Sequence, residues 1–322
     1  MKRSFRQFVA VMRLAVLEAI RQPICLLVST TCYLMIALFP VLITHTLGEG
    51  EKLVRDSSMA FHLVCGLVLG TYAACAALTH EIRRGTVASV LAKPVNRELF
   101  FLAKFSGIAL VTMLFSAGAS AMTLMSVRAA SGDFQLDWWA MGPALAAPLL
   151  AFAIAGAWNF FTRRPFASAA FVLLLIAVAI AFVIVGLLDS GGHMATAFGA
   201  FYAWKHVAAS LLVALAIIVL AGIAVSLATR LDAVPTLSIC SVLLMLGLMS
   251  DYLFGRHAAE SHVAAALYRI IPNWQHFWVT DALNAGTIPW TYVARVAVYA
   301  LCYLAGILSI GMLAFRNMEV RA

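Results

Sequence analysis

The chain has 322 residues, 64% of them hydrophobic and 11% charged, with a mean hydropathy of +0.97 and a formal net charge of +8. Soluble globular domains carry about 25% charged residues, so this composition excludes a soluble protein and describes a polytopic membrane protein. Its spans are expected to be α-helical, because hydrocarbon offers no water to an unpaired backbone group.

The basic balance fits the excess of Lys and Arg on cytoplasmic loops rather than nucleic-acid binding. Six cysteines (Cys25, Cys32, Cys65, Cys75, Cys240 and Cys302) fall in or beside apolar runs, with no CxxC pair. They read as small buried hydrophobes and support neither a disulfide framework nor a metal site.

Residues 1–22 predict an interfacial elbow helix: Phe5, Phe8, Val9, Met12, Val16 and Ile20 share one broad side, and Arg6, Arg13 and Arg21 lie off its centre. A signal peptide is not expected, because the basic segment is long and amphipathic and no small-residue cleavage site follows. Eight spans follow, at 23–43, 58–79, 99–127, 138–161, 166–188, 206–229, 235–254 and 290–315.

With the N-terminus inside, the inner segments hold fifteen cations: Lys2, Arg3, Arg6, Arg13, Arg21, Arg83, Arg84, Lys93, Arg97, Lys104, Arg163, Arg164, Arg230, Arg316 and Arg321. The outer segments hold six: Lys52, Arg55, Arg128, Lys205, Arg256 and Arg269. That asymmetry predicts both termini in the cytoplasm. The turn Thr162–Pro165 closes a hairpin over 138–188, either two full spans or a partly re-entrant pair. Residues 255–289 form the longest polar connection, outside, with a short amphipathic helix broken at Pro272. Trp274, Phe277 and Trp278 behind it suit the membrane interface. No repeat or separate soluble unit is visible, so 1–322 reads as one transmembrane domain.

Several kinds of chemistry are absent from the sequence. No GxxxxGK[ST] loop occurs to cradle a nucleotide, and the glycines of Asp189–Met194 read as a plain loop on the outer side. His80 and Glu81 begin an HExxH pattern, but Arg84 stands where the second histidine belongs. The histidines read as solvated loop residues, and Asp251 and Arg295, near outer span ends, as side chains that reach the interface. No catalytic constellation is present, so no enzyme is expected.

The densest charge between two apolar runs is 80–98, HEIRRGTVASVLAKPVNRE. The second span is expected to run on through His80 and Arg84 and to stop at Gly85, a residue suited to the C′ position. Thr86 then caps a short helix that ends near Lys93, because Pro94 disfavours helical geometry in the residue before it. Asn96 caps the third span, with Glu98 in its first turn. The result is a short cytoplasmic helix with Val87, Val90 and Leu91 among basic residues. A solvated basic turn would account for Arg83, Arg84, Lys93 and Arg97, but not for the Gly-Thr pair, the apolar turn and the proline between them.

This segment resembles the cytoplasmic coupling loop of ABC-2 class ABC transporter permeases: an acidic residue, a Gly-Thr pair, a hydrophobic turn and a Pro closely followed by Arg, here Glu81, Gly85, Thr86, Val90, Leu91, Pro94 and Arg97. Tyr268–Phe277, with Pro272, Asn273, Trp274 and Phe277, is similar to the outer segment such permeases carry before their last span, and LAFRNMEV to their cytoplasmic exit. They usually have six spans, and the hairpin 138–188 is the excess here. The resemblance implies a multi-pass permease of the cell membrane, a bacterial inner membrane, with no cofactor of its own. ATP and Mg would bind a separate ATP-binding subunit docked on Glu81, Arg83, Arg84, Gly85, Thr86, Val87, Val90, Leu91, Lys93, Pro94 and Arg97. It also implies export and pairing of two permease subunits, identical or related. A stand-alone secondary transporter or membrane assembly factor is the alternative from another class.

Overall fold

In a computed structural model, the structure describes residues 2–43, 48–83, 96–131, 136–163 and 165–316. The α-helices in chain order are α1 (Lys2–Arg21), α2 (Pro23–Leu42), α3 (Gly50–Arg83), α4 (Arg97–Ala129), α5 (Trp138–Thr162), α6 (Phe166–Leu187), α7 (His206–Leu227), α8 (Ala233–Leu248), α9 (Ser250–Leu253), α10 (His262–Ile270), α11 (Ala282–Ala285) and α12 (Trp290–Arg316). Among the described residues no strand forms, and one isolated bridge pairs Leu188 with Met194.

Among the described residues seven helices are long and apolar enough to cross a membrane: α2, α3 as far as Thr79, α4, α5, α6, α7 and α12. The segment expected at 235–254 is bent instead, α8 meeting Ser250–His257 at 67°. Side-chain contacts decide whether that bent pair crosses. At one end of the bundle Arg97 Nη1 donates to Arg316 O at 3.0 Å, Arg230 Nη2 to Ala314 O at 3.3 Å, and Thr79 Oγ1 to the carbonyls of Ala228 and Leu231. At the other end Lys205 Nζ and His206 Nε2 each lie 3.2 Å from Glu51 Oε1, and Arg55 Nη2 donates to Asn284 Oδ1 at 3.0 Å. The chain therefore passes from the first end to the second between Arg230 and Asn284, and the bent pair is an eighth crossing.

The hub is α4, which packs against α1, α2, α3, α5, α6, α7 and α12. Glycines let its neighbours close in, as small residues do between helices in a membrane. A Cβ on Gly107 would come within 2.7 Å of Ala15 Cβ, and one on Gly118 would strike the Tyr33 ring. Tyr33 donates to Phe115 O at 2.8 Å and Ser126 to Ile36 O at 2.6 Å, so hydroxyls join α2 to α4 at two depths.

Several expectations need correction. The second span begins eight residues early, at Gly50, because Glu51 and Arg55 find polar partners and need no loop. Lys52 and Arg55 accordingly sit on a helix. The elbow helix does not rest on the surface by its Phe5–Ile20 side alone: Ala15, Ala19 and Ile20 are buried against the bundle, while Phe5 and Val9 stay exposed. Cys302 is exposed, unlike the other five cysteines. His62 and His206 are fully buried and not loop residues. Arg55, Lys104 and Arg128 are buried charges in the bundle that hydropathy did not separate from loop cations.

Lys104 shows what such a charge requires. Its ammonium is fully buried, lies 2.7 Å from Glu18 Oε2 and faces the Phe100 ring. Removing one partner of a buried charge costs up to about 3–5 kcal/mol, less where other contacts to the charge remain. Glu18→Ala is therefore expected to lower the stability of the detergent-solubilised protein by about 1–3 kcal/mol, seen as a lower Tm, and the double variant Glu18→Ala/Lys104→Met to recover most of that loss.

Candidate functional site

Two regions singled out by the sequence stand at opposite ends of the bundle. At the first end, α3 and α4 form two stalks that bracket residues 84–95. The 34 residues of α3 amount to about 51 Å of helix, well beyond a hydrocarbon core of about 30 Å. Asn96 caps α4 as expected, its Oδ1 accepting from Glu98 N at 3.0 Å. Glu81 and Arg83 lie in the last turn of α3 and Arg97 opens α4. The rest of the predicted docking set (Arg84, Gly85, Thr86, Val87, Val90, Leu91, Lys93 and Pro94) lies outside the described residues.

The base of the stalks is fastened to the rest of the bundle. Thr79 ties α3 to the turn after α7. Arg97 ties α4 to the end of α12, where Phe100 stacks on Phe315 at 5.9 Å and 15° and Phe101 meets the same ring at 6.0 Å. Two turns further on, Lys104 adds α1 through Glu18. A force on residues 84–95 would thus reach α1, α7 and α12 at once.

At the second end, the expectation of interfacial aromatics is overturned for Trp274 and Phe277, while Trp278 is half-buried. Trp274 and Phe277 are 1% and 2% exposed, packed inside the bundle. The short helix ends at Ile270, before Pro272 as predicted, and the chain turns inward between α8 and α12. Trp274 Nε1 donates to Leu243 O at 3.0 Å, Gln275 Nε2 to Leu248 O at 2.9 Å, and Asn273 N to Tyr299 Oη at 3.1 Å. Gly247 faces Pro272 O and the Trp274 ring so closely that any Cβ would collide.

Asp251 organises this wedge. Instead of reaching the interface, its Oδ1 accepts from Tyr268 Oη at 2.8 Å and from Asn273 Nδ2 at 2.7 Å. The bond to the Asp251 carboxylate holds the Tyr268 phenol above its ordinary pKa, and burial adds to the effect. Arg295, the other charge assigned to a span end, is exposed on α12.

Beside this wedge the second end carries two polar clusters that the sequence did not bring together. Glu51 joins Lys205 and His206, while Arg55 is held by Asp56 and Asn284. Arg128 pairs with Asp137 at 3.0 Å, donates to Val185 O and faces the Phe201 ring. Asp137 in turn caps α5, so one carboxylate closes the 138–188 hairpin onto α4. Each of these ions already has structural partners, and among the described residues no group of three or more His, Cys, Asp or Glu is placed to hold a metal ion. The glycine loop after α6 is also structural: Asp189 accepts from Gly191 N and His193 N, bonds that lower its carboxyl pKa.

Residues 47–161 match the family described as ABC-2 family transporter protein. No curated protein and no solved structure matches the chain. The matched stretch runs from the start of α3 to the end of α5, so the 84–95 segment and both its stalks lie inside it. The family resemblance read from the sequence is borne out over that stretch.

Because Asp251 holds both Tyr268 and Asn273, Asp251→Ala is expected to loosen the 262–278 segment. The check is limited trypsinolysis of detergent-solubilised protein, in which cleavage after Arg269 should accelerate about tenfold or more, in line with an opening made about 1.5–3 kcal/mol easier by loss of bonds to a charged group.

Proposed function

We propose that this chain, a multi-pass membrane protein carrying an ABC-2 family transporter domain over residues 47–161, is the permease subunit of an ABC exporter, worked by ATP hydrolysis on a separate subunit docked at residues 80–98. The observation that carries the reading is the position of that segment. It lies between two stalks at the bundle end where Arg97, Arg230 and Arg316 gather, and its base is bonded to α7, α12 and α1. A docked subunit that shifts the segment would move the stalks against the bundle, which is the mechanical requirement of alternating access.

On this reading the end bearing Arg97 and Arg316 is cytoplasmic, with both termini there, as the Lys and Arg asymmetry predicts. Val87, Val90 and Leu91 provide the apolar contact, and Arg83, Arg84, Lys93 and Arg97 orient a partner surface of opposite charge. The ATP-binding subunit supplies Mg and ATP, and this chain supplies the translocation path. A second permease copy or a related permease completes the path, in the plasma membrane of a bacterium.

Two outcomes are expected. Co-expression with the neighbouring genes, followed by affinity purification of the solubilised chain, should bring down a subunit with a Walker A sequence; transport that persists with no such subunit would sink the reading. Leu91→Asp should leave insertion intact and reduce stimulation of the partner's ATPase about thirtyfold, the cost of burying a charge at an apolar hot spot worth about 2 kcal/mol. Unchanged stimulation would refute docking at this loop.

A further inference from the structure

The space between α8 and α12 is filled at one end and empty at the other. α8 leans on α3 through the stripe Thr236, Cys240 and Leu244, and α12 lies along α7, so the two helices stand apart with α7 as the floor between them. In the half near Asn284 the gap is plugged by Trp274, bonded to Leu243 O, and by Phe277 against Tyr299. In the half near Arg230 no polypeptide among the described residues enters, and a cleft of about 490 Å³ remains.

The walls of this cleft are hydrocarbon-like. Ile223 and Leu227 come from α7, Leu243 from α8, and Ile307, Ile310 and Ala314 from α12. The hydroxyls present are already used: Ser226 donates to the carbonyls of Gly222 and Ile307, and Thr229 to Ser226 O. From Ile307 to Ala314 α12 rises about 10 Å, and the facing wall runs from Ile223 on α7 to Arg230 in the turn after it, so the cleft is a slot running inward from the bundle end. At its mouth stands the exposed guanidinium of Arg230, whose bond within the protein is a long one, 3.3 Å to Ala314 O.

We infer that this slot holds one acyl chain of an anionic phospholipid, its phosphate on Arg230. An apolar cleft of this size is filled better by a hydrocarbon chain than by water, and the slot opens where a leaflet presents chains beside headgroups. Guanidinium pairs with the phosphate, and the cation at the mouth selects an anionic lipid because a zwitterionic headgroup such as choline's already carries its own positive charge beside the phosphate. The lipid completes the packing that Trp274 provides in the other half and wedges α8 away from α12. The inference does not rest on an ATP-binding partner and stands or falls without one.

The test is native mass spectrometry of the full chain in detergent, titrated with dioleoylphosphatidylglycerol or dioleoylphosphatidylcholine. The wild type should retain one phosphatidylglycerol about five- to tenfold more strongly than phosphatidylcholine, the preference one basic residue confers near a headgroup. Arg230→Gln, at an exposed position that leaves the fold intact, should bring the two lipids to equal retention. Ala314→Trp should fill the slot and lose both; should it aggregate, Leu227→Phe makes the same test with a smaller ring. Undiminished preference in Arg230→Gln, or wild-type retention with the slot filled, overturns the proposal. So does disulfide cross-linking of two copies through Ile310→Cys in a Cys302→Ser background, which would show that a second copy covers the slot.

Discussion

A backbone group that leaves its helix inside hydrocarbon finds no water to replace the lost bond, and the break after α8 is where this chain meets that constraint. The helix bends by 67° close to the second end of the bundle. The segment 271–278 folds back into the notch, with Trp274 and Gln275 donating to carbonyls of α8 and Asn273 to Tyr299 on α12. The bend and the wedge depend on each other. Gly247 is needed because the returning chain lies where a side chain would stand, and Asp251, just past the bend, anchors the two residues that begin the wedge.

The same rule governs the buried ions. Lys104, Arg55 and Arg128 are each nearly or fully buried, and each is matched by a carboxylate from a different part of the chain or from its own neighbour: Glu18, Asp56 and Asp137. Such pairs add little net stability against an apolar alternative but are costly to break, so they fix which helices meet. Lys104 joins α1 to α4, and Arg128 joins the 138–188 hairpin to α4. Both attachments fall on α4, the helix that packs against seven others. The additional hairpin is thus keyed to the hub of the bundle and not merely appended to its rim.

Hydropathy made the spans legible because each is a long apolar run, and the helix start at Asn96 was legible because a side-chain cap is local chemistry. What escaped was everything set by distant partners. Gly50–Ser57 looked like loop because it holds Glu51, Lys52, Arg55 and Asp56. Only Lys205, His206 and Asn284, more than 140 residues away, make that polar stretch tolerable as helix. Trp274 and Phe277 looked interfacial for a similar reason: composition says that aromatics suit a headgroup region, and only the bend in α8 reveals a notch that takes them in. Gly247 was the available signal, a lone glycine in an apolar run at the point of closest approach. The docking residues were read from a local pattern, Gly-Thr to Pro, and from the side of the bundle on which it must fall.

The polar ties at the first end constrain how motion can spread. Arg97, Phe100 and Phe101 hold the start of α4 to the end of α12, and Thr79 holds α3 to the turn after α7. With α7 itself packed along α12, these four helices share one set of fastenings at that end. The chain leading into α8 joins them through Leu231 O, which accepts from Thr79, and Arg230, which donates to Ala314 O; beyond its start α8 rests on α3 at one side and on the Trp274 wedge at its far end, with the open slot between it and α12. Among the described residues polypeptide fills the gap beside α8 in the half near Trp274, while the other half is crossed at its mouth by the long bond from Arg230 to Ala314 O, so displacement of the stalks would bear on the more weakly bridged half of that gap.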